Sequence, residues 1–210
     1  MSPVDFSLYL ITDRQQTRNR PLVPLLGEAI AAGVRAVQIR EKDLCTREML
    51  ALCREVLSVA RRWGVRVLVN DCIDVVLATN ADGVHLRANS LPVPVARRLL
   101  GPDRLIGVSA HSVRDVELAE TEGADFVVLG PIYETASKAS YGPPIGLGPL
   151  REATQRYRIP IFGIGGITTS RVPELRKNGA AGAAVISAVL AADSVESSTC
   201  ALLQAFRQPI

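Results

Sequence analysis

The stretch Val37-Gln38-Ile39-Arg40-Glu41-Lys42 runs a β-rich apolar segment into an amide and two cations. Strand side chains alternate with period two, so Gln38, Arg40 and Lys42 share one face. A packed sheet interior disfavours a guanidinium beside an ammonium. At the end of a strand the same pair suits a polyanion, and a pyrophosphate matches both groups. A solvated strand end with ordinary surface charges is the alternative reading. Asn70-Asp71 closes another β-rich run. A carboxylate beside an amide suits Mg²⁺, which keeps several waters and leans on phosphate oxygens, but it equally suits the N-cap of a following helix. Gly163-Ile164-Gly165-Gly166 and Val185-Ile186-Ser187-Ala188 read as a phosphate cradle, because glycine lets backbone N–H groups approach an anion. Plain turn glycines are the alternative.

The segment 130–146 is long for a connection and rich in Gly, Ser and Pro. It reads as a lid in which Thr135 and Ser137 offer hydroxyls and Lys138 a charge to a phosphate, or else as a plain surface loop. Tyr133 and Tyr141 line that lid or pack it. Of the two histidines, His85 alternates with apolar neighbours and reads as structural. His111 stands just beyond a strand, where acid-base work and a capping role are both open.

These groups need elements to hold them. Short apolar β-rich runs at 7–13, 36–41, 65–71, 83–86, 105–110, 126–131, 160–166 and 182–188 predict eight strands. Amphipathic segments at 46–62, 93–100, 113–122, 147–157, 170–177 and 195–206 predict helices, the first with Thr46 as its N-cap. Gly33, Gly64, Gly123 and Gly179 fall where a helix hands over to the next strand. The rhythm is that of an α/β chain folded as one small (β/α)₈ TIM barrel over residues 1–210. A doubly wound open sheet is weaker, since no Gly-x-Gly-x-x-Gly follows the first strand. In a barrel, chemistry belongs at the C-terminal strand ends. Thr12-Asp13, Gln38 with Arg40, Asn70-Asp71, His85-Leu86-Arg87, Ser109 with His111, and Ser187 all fall there.

Composition narrows the class. A chain of 210 residues suits a single domain with a sizeable core. Mean hydropathy is +0.20, and since no apolar run spans a bilayer, the excess points to strands buried on both faces. A net charge of +3, with only 4% aromatic residues, argues against nucleic acid and membrane as partners. The N-terminus shows no basic region before an apolar core, which predicts no signal peptide. Cys45, Cys53, Cys72 and Cys200 show no metal spacing and no Cys-x-x-Cys pair, which fits inert thiols in a cytoplasmic protein. Cys53 shares a helix face with Met49, Val56 and Ala60.

The pieces occur in an order that resembles one family. Tyr9-Leu10-Ile11-Thr12-Asp13, Gln38-Ile39-Arg40-Glu41-Lys42, Val69-Asn70-Asp71, Gly83-Val84-His85-Leu86, Gly107-Val108-Ser109-Ala110-His111, Gly130-Pro131-Ile132-Tyr133, Gly163-Ile164-Gly165-Gly166-Ile167 and Ile186-Ser187-Ala188 are similar to the thiamine phosphate synthases and their relatives the thiazole tautomerases. The resemblance implies a transferase of thiamine biosynthesis. It would join a hydroxymethylpyrimidine diphosphate to a thiazole phosphate with release of pyrophosphate. It implies Gln38, Arg40, Lys42 and Asn70 as pyrimidine-diphosphate contacts and Asp71 as the Mg²⁺ ligand. Ser109 and Lys138 would meet the pyrophosphate. Thr135, Ser137, Gly166, Ile186 and Ser187 would hold the thiazole phosphate. Partners would be these two small molecules and, as an option, a second copy of the chain in a homodimer.

Two departures from the family pattern stand out. Ser90 falls where a second Mg²⁺-binding aspartate is usual, with Arg87 nearby as a substitute cation. Glu134 falls where the synthases have proline. An acidic residue there, with a histidine matching His111, resembles the tautomerase branch. Asn70-Asp71 and Lys42 resemble the synthase branch instead. A metal-independent isomerase using His111, and a non-catalytic phosphate-binding barrel, are the alternatives to the synthase.

Overall fold

The computed structural model describes residues 4–135 and 143–208. Eight short strands, each flanked by turn chemistry, alternate with helices. They are β1 (Leu8–Ile11), β2 (Ala36–Ile39), β3 (Arg66–Asn70), β4 (Gly83–Leu86), β5 (Leu105–Ala110), β6 (Phe126–Leu129), β7 (Ile161–Ile164) and β8 (Gly182–Val185). Each pairs in parallel with its sequence neighbour, and β8 returns to β1, with Leu8 opposite Ala183, to close the barrel. The expected (β/α)₈ barrel is therefore the fold.

Among the described residues the helices are α1 (Leu22–Ala31), α2 (Thr46–Ala60), α3 (Ile73–Thr79), α4 (Val93–Leu100), α5 (Val113–Thr121), α6 (Leu147–Arg156), α7 (Val172–Lys177), α8 (Ser187–Leu190) and α9 (Val195–Arg207). The amphipathic reading does not anticipate α1, α3 or α8. Pro24 and Gly27 interrupt α1, and Ile73, Val75 and Val76 give α3 a β-like composition. The N-cap of α2 is Cys45, one residue before Thr46, and Glu48 reaches back to accept from the Cys45 N–H at 2.9 Å.

Two apolar layers follow from the strand alternation. Residues pointing outward, such as Val37, Val67, Val84 and Val127, pack under the helices, where Met49, Cys53, Val56 and Ala60 of α2 lie buried. Residues pointing inward fill the barrel: Tyr9, Leu68, Leu105, Phe126, Phe162 and Ala184, with Phe6 beneath. The rings meet edge to face, Tyr9 to Phe126 at 5.3 Å and Phe126 to Phe162 at 5.6 Å. Gly107 makes room for them, since a Cβ there would lie 2.4 Å from Phe126 and 2.7 Å from His85.

Candidate active site

The C-terminal rim is built where strands stop short. β2 ends at Ile39, so the shared face expected of Gln38, Arg40 and Lys42 holds only for Gln38, which points into the barrel. Gln38 is 1% exposed, and its Nε2 donates to the Tyr9 hydroxyl at 3.2 Å. It forms the floor of the rim rather than its wall. Arg40 lies past the strand, half-buried, with its backbone N–H on the Thr12 hydroxyl at 2.9 Å. Its guanidinium forms no hydrogen bond or ion pair among the described residues, and the exposed Lys42 ammonium likewise none. Glu41 between them is buried: its Oε2 accepts from the Arg14 backbone N–H at 3.0 Å and from Arg14 Nε at 3.4 Å, which ties the β1–α1 loop to the end of β2.

Across the barrel, Ser109 of β5 sits 3.0 Å from His85 Nε2. His85 is buried and its Nδ1 lies 3.5 Å from the Tyr9 hydroxyl. Its neighbours along β4, Val84 and Leu86, are apolar, as the alternation implies, but its ring joins polar groups of β1 and β5. Burial pushes the imidazole down to about 3; Asp71 opposes that shift and Arg40 adds to it.

Asn70 ends β3, and Asp71 follows it with φ of 58°, a left-handed conformation uncommon outside glycine. The turn aims the Asp71 carboxylate at the β4–α4 loop. Its Oδ2 pairs with Arg87 Nε, and its Oδ1 accepts from the Ser90 hydroxyl and from the Arg87 backbone N–H at 3.3 Å. Ser90 thus hydrogen-bonds the very carboxylate expected to hold a metal. No group of three or more His, Cys, Asp and Glu side chains occurs among the described residues. Mg²⁺ needs few protein oxygens when phosphates and waters supply the rest. The Arg87 side chain over Asp71 is 57% exposed, so the pair lies at the solvent-facing side of the rim. Asp71 fits such an ion as its single carboxylate ligand.

The second part of the rim is a cleft, open to solvent, between the β6–α6, β7–α7 and β8–α8 loops. Thr135, Gly165, Gly166, Ile186 and Ser187 line it, together with Gln16 from the β1–α1 loop. Gly166 has φ of +62°, and a Cβ there would lie 2.5 Å from the Glu134 carbonyl oxygen, so both conformation and space demand glycine. The Gly166 carbonyl accepts from Arg171 at 2.5 Å, and the Arg171 guanidinium stacks 4.4 Å above the Tyr133 ring. Tyr133 in turn donates to Glu174 at 2.9 Å. Ser187, expected at the end of a strand, instead opens α8. Ser137, Lys138 and Tyr141 lie outside the described residues.

His111 stands apart from His85 and Ser109. Its Nδ1 donates to the Gly130 carbonyl at 2.7 Å, and its backbone N–H is held by Asp115, which also caps α5. Its ring is thus anchored on the backbone of the residue that follows β6. Sequence reasoning missed Tyr9 as a polar group, Gln16, and the Arg171–Tyr133 stack. The signal available for Tyr9 was a lone hydroxyl inside an otherwise apolar strand.

Comparison with known proteins agrees with this geometry across the chain. The family model described as thiamine monophosphate synthase matches residues 8–189, from the start of β1 into α8. The thiamine-phosphate synthase of Roseiflexus castenholzii is 42% identical over 195 residues, covering 93% of this chain and 86% of that protein. The thiamine-phosphate synthase of Chloroflexus aurantiacus is 44% identical over 192 residues, covering 91% and 88%. Among solved structures, thiamine phosphate pyrophosphorylase from Pyrococcus furiosus superposes with a TM-score of 0.87 at 35% identity, over 96% of this chain and 95% of that one. A 3-hexulose-6-phosphate synthase at 17% identity and TM-score 0.73 shares the barrel fold alone. With both the rim and the strands beneath it inside the matched span, the chain belongs to the thiamine monophosphate synthase family.

Proposed function

We propose that the protein is a thiamine-phosphate synthase, a transferase that joins a pyrimidinylmethyl diphosphate to a thiazole phosphate and releases pyrophosphate. The observation that supports this reading is a rim with two separate features suited to anions: Arg40 and Lys42 after β2, without partners among the described residues, and the glycine-walled cleft after β7 and β8. A reaction of two phosphorylated substrates needs both. The family membership and the synthase names of the relatives support it.

In this reading Arg40 and Lys42 receive the diphosphate, and Gln38 and Asn70 face the pyrimidine from the floor. Ser109 and Lys138 hydrogen-bond the departing pyrophosphate. Thr135, Ser137, Gly166, Ile186 and Ser187 hold the thiazole phosphate, so that the ring nitrogen faces the reacting carbon. The aminopyrimidine can stabilise a benzyl-like cation, so the C–O bond breaks first and the thiazole nitrogen captures the carbon. The protein stabilises charge on the leaving group and excludes water, and no protein nucleophile is required. Mg²⁺ held by Asp71 would neutralise pyrophosphate oxygens as negative charge builds on them. The reading includes a cytoplasmic location, a homodimer as the assembled state, and no nucleic-acid partner; among the described residues no helix is long and apolar enough to cross a membrane.

The test is pyrophosphate release from purified protein given both substrates, with and without Mg²⁺. Release that requires both substrates, with thiamine phosphate formed, is the expected result. Turnover that persists in EDTA and is lost in His111→Ala would favour the isomerase instead.

A further inference from the structure

Four side chains from four strands touch in series inside the barrel, and donor chemistry gives the series a direction. The Gln38 amide nitrogen can only donate, and it donates to Tyr9 at 3.2 Å. The Tyr9 oxygen therefore accepts there, and its single proton is free for His85 Nδ1 at 3.5 Å. Burial pushes the Tyr9 phenol far above its ordinary range, so that proton stays. That proton needs an acceptor, and Nδ1 supplies one only when it is bare, so the ring is not doubly protonated. A neutral imidazole with a bare Nδ1 carries its proton on Nε2. The Nε2–H then donates to Ser109 Oγ at 3.0 Å. The opposite tautomer would leave the Tyr9 proton with no acceptor in a site walled by Phe126 and Phe162.

We infer that Tyr9 and His85 are positioning residues, which hold the Ser109 hydroxyl as a hydrogen-bond donor aimed from the end of β5 at an anion on the rim. With one of its two lone pairs occupied from below, Ser109 has its own proton directed away from His85. A serine left free to rotate would offer a lone pair to the anion part of the time. The inference rests on the reading of Ser109 as a pyrophosphate contact, and it adds which buried groups make Ser109 fit for that contact. Directional hydrogen bonds from pre-oriented donors are the means by which such sites stabilise developing charge without reorganisation.

The experiment combines a spectrum with a binding measurement. Protein labelled with ¹⁵N-histidine has only two imidazoles to assign, His85 and His111. The expected spectrum shows His85 as the Nε2–H tautomer. Tyr9→Phe, nearly isosteric, is expected to move His85 toward the Nδ1–H form and to weaken inorganic pyrophosphate in magnesium buffer about five- to tenfold by calorimetry. His85→Gln, whose amide nitrogen replaces Nε2–H, is expected to retain pyrophosphate affinity that His85→Leu loses, at comparable melting temperature. A parent protein that binds pyrophosphate while His85 is in the Nδ1–H form overturns the inference alone. So does an unchanged affinity in Tyr9→Phe. A folded parent that binds no pyrophosphate, whatever the tautomer, overturns the functional reading and this inference with it.

Discussion

Asp125 and Arg40 sit at opposite ends of the barrel, and the fold treats them in opposite ways. Asp125 lies at the N-terminal end, where its Oδ2 accepts from the Ile106 N–H at 2.7 Å and from Arg97 at 2.7 Å. Asp82 does the same for the Val67 N–H at 2.9 Å, and Glu120 for the N–H groups of Arg158 and Ile159 at 2.7 and 2.9 Å. Carboxylates at this end are spent on backbone donors that would otherwise be orphaned as each strand begins. Directly above them the rings of Phe6, Phe126 and Phe162 plug the barrel. At the C-terminal end the Arg40 guanidinium and the Lys42 ammonium have no partner among the described residues, and Asp71 is held in a left-handed turn. The N-terminal end satisfies its carboxylates on backbone donors, and the C-terminal end leaves Arg40 and Lys42 without partners among the described residues. The comparison locates stability and chemistry in different layers of one sheet.

The comparison can be broken at either end. The largest effect is expected from Phe126→Ala, which empties the plug and should cost about 3–5 kcal/mol of folding stability in chemical denaturation. A loss under about 1 kcal/mol would show that the plug does not carry the barrel. Arg40→Ala should do the reverse. It should lower kcat/KM about 10²- to 10³-fold while leaving stability within about 0.5 kcal/mol, measured on the same preparation. If it destabilises the fold instead, the guanidinium is structural and the contrast fails. Asp125→Ala should cost about 1–3 kcal/mol through the unpaired Ile106 N–H and Arg97, with KM for both substrates unmoved.

A pH dependence sharpens the boundary between the layers, where His85 sits. Its folded value of about 3 lies below the ordinary 6.5, so between those values the unfolded chain binds a proton that the folded chain refuses. Stability from this group is complete above the ordinary value and falls as the pH drops through the window, by up to about 1.4 kcal/mol per unit. Denaturation midpoints followed from neutral pH into the acid range should show that slope, and His85→Gln should flatten it. An unchanged slope in the variant would assign the acid sensitivity to other groups.

Much of this was legible before any coordinates. Period and punctuation located all eight strands, because parallel strands buried on both faces leave near-continuous apolar runs bounded by glycine and proline. Of the helices that escaped notice, α1 and α3 have a composition that argues against helix, which their packing against the barrel overrides, and α8 is a four-residue helix begun where a strand end was expected. Rim residues following a strand could be assigned to the rim but not to a face: Gln38 faces inward with Ala36, and Arg40 leaves that face because β2 ends at Ile39. The Ser90–Asp71–Arg87 contacts depend on a left-handed Asp71, which a non-glycine residue does not announce. The Gln38–Tyr9–His85–Ser109 series was out of reach for a different reason. Its members are scattered along the chain, and only the register of the sheet brings them together.

The seam where β8 returns to β1 has a consequence for how this chain comes into being. Leu8 and Ala183 are partners at opposite ends of the sequence, so until the last strand is made, β1 has one unpaired side. A nascent chain thus carries two open sheet edges, the side of β1 and the newest strand, throughout most of its synthesis. Such edges are templates for pairing with other chains, and the contact that removes them is the least local in the fold. The vulnerability of this protein to aggregation is accordingly concentrated in the interval before its eighth strand emerges. Variants that weaken β8 or the Arg20 contacts to the carbonyls of Leu190 and Ala192 just beyond it should be recovered as insoluble chains more readily than as unstable folded ones.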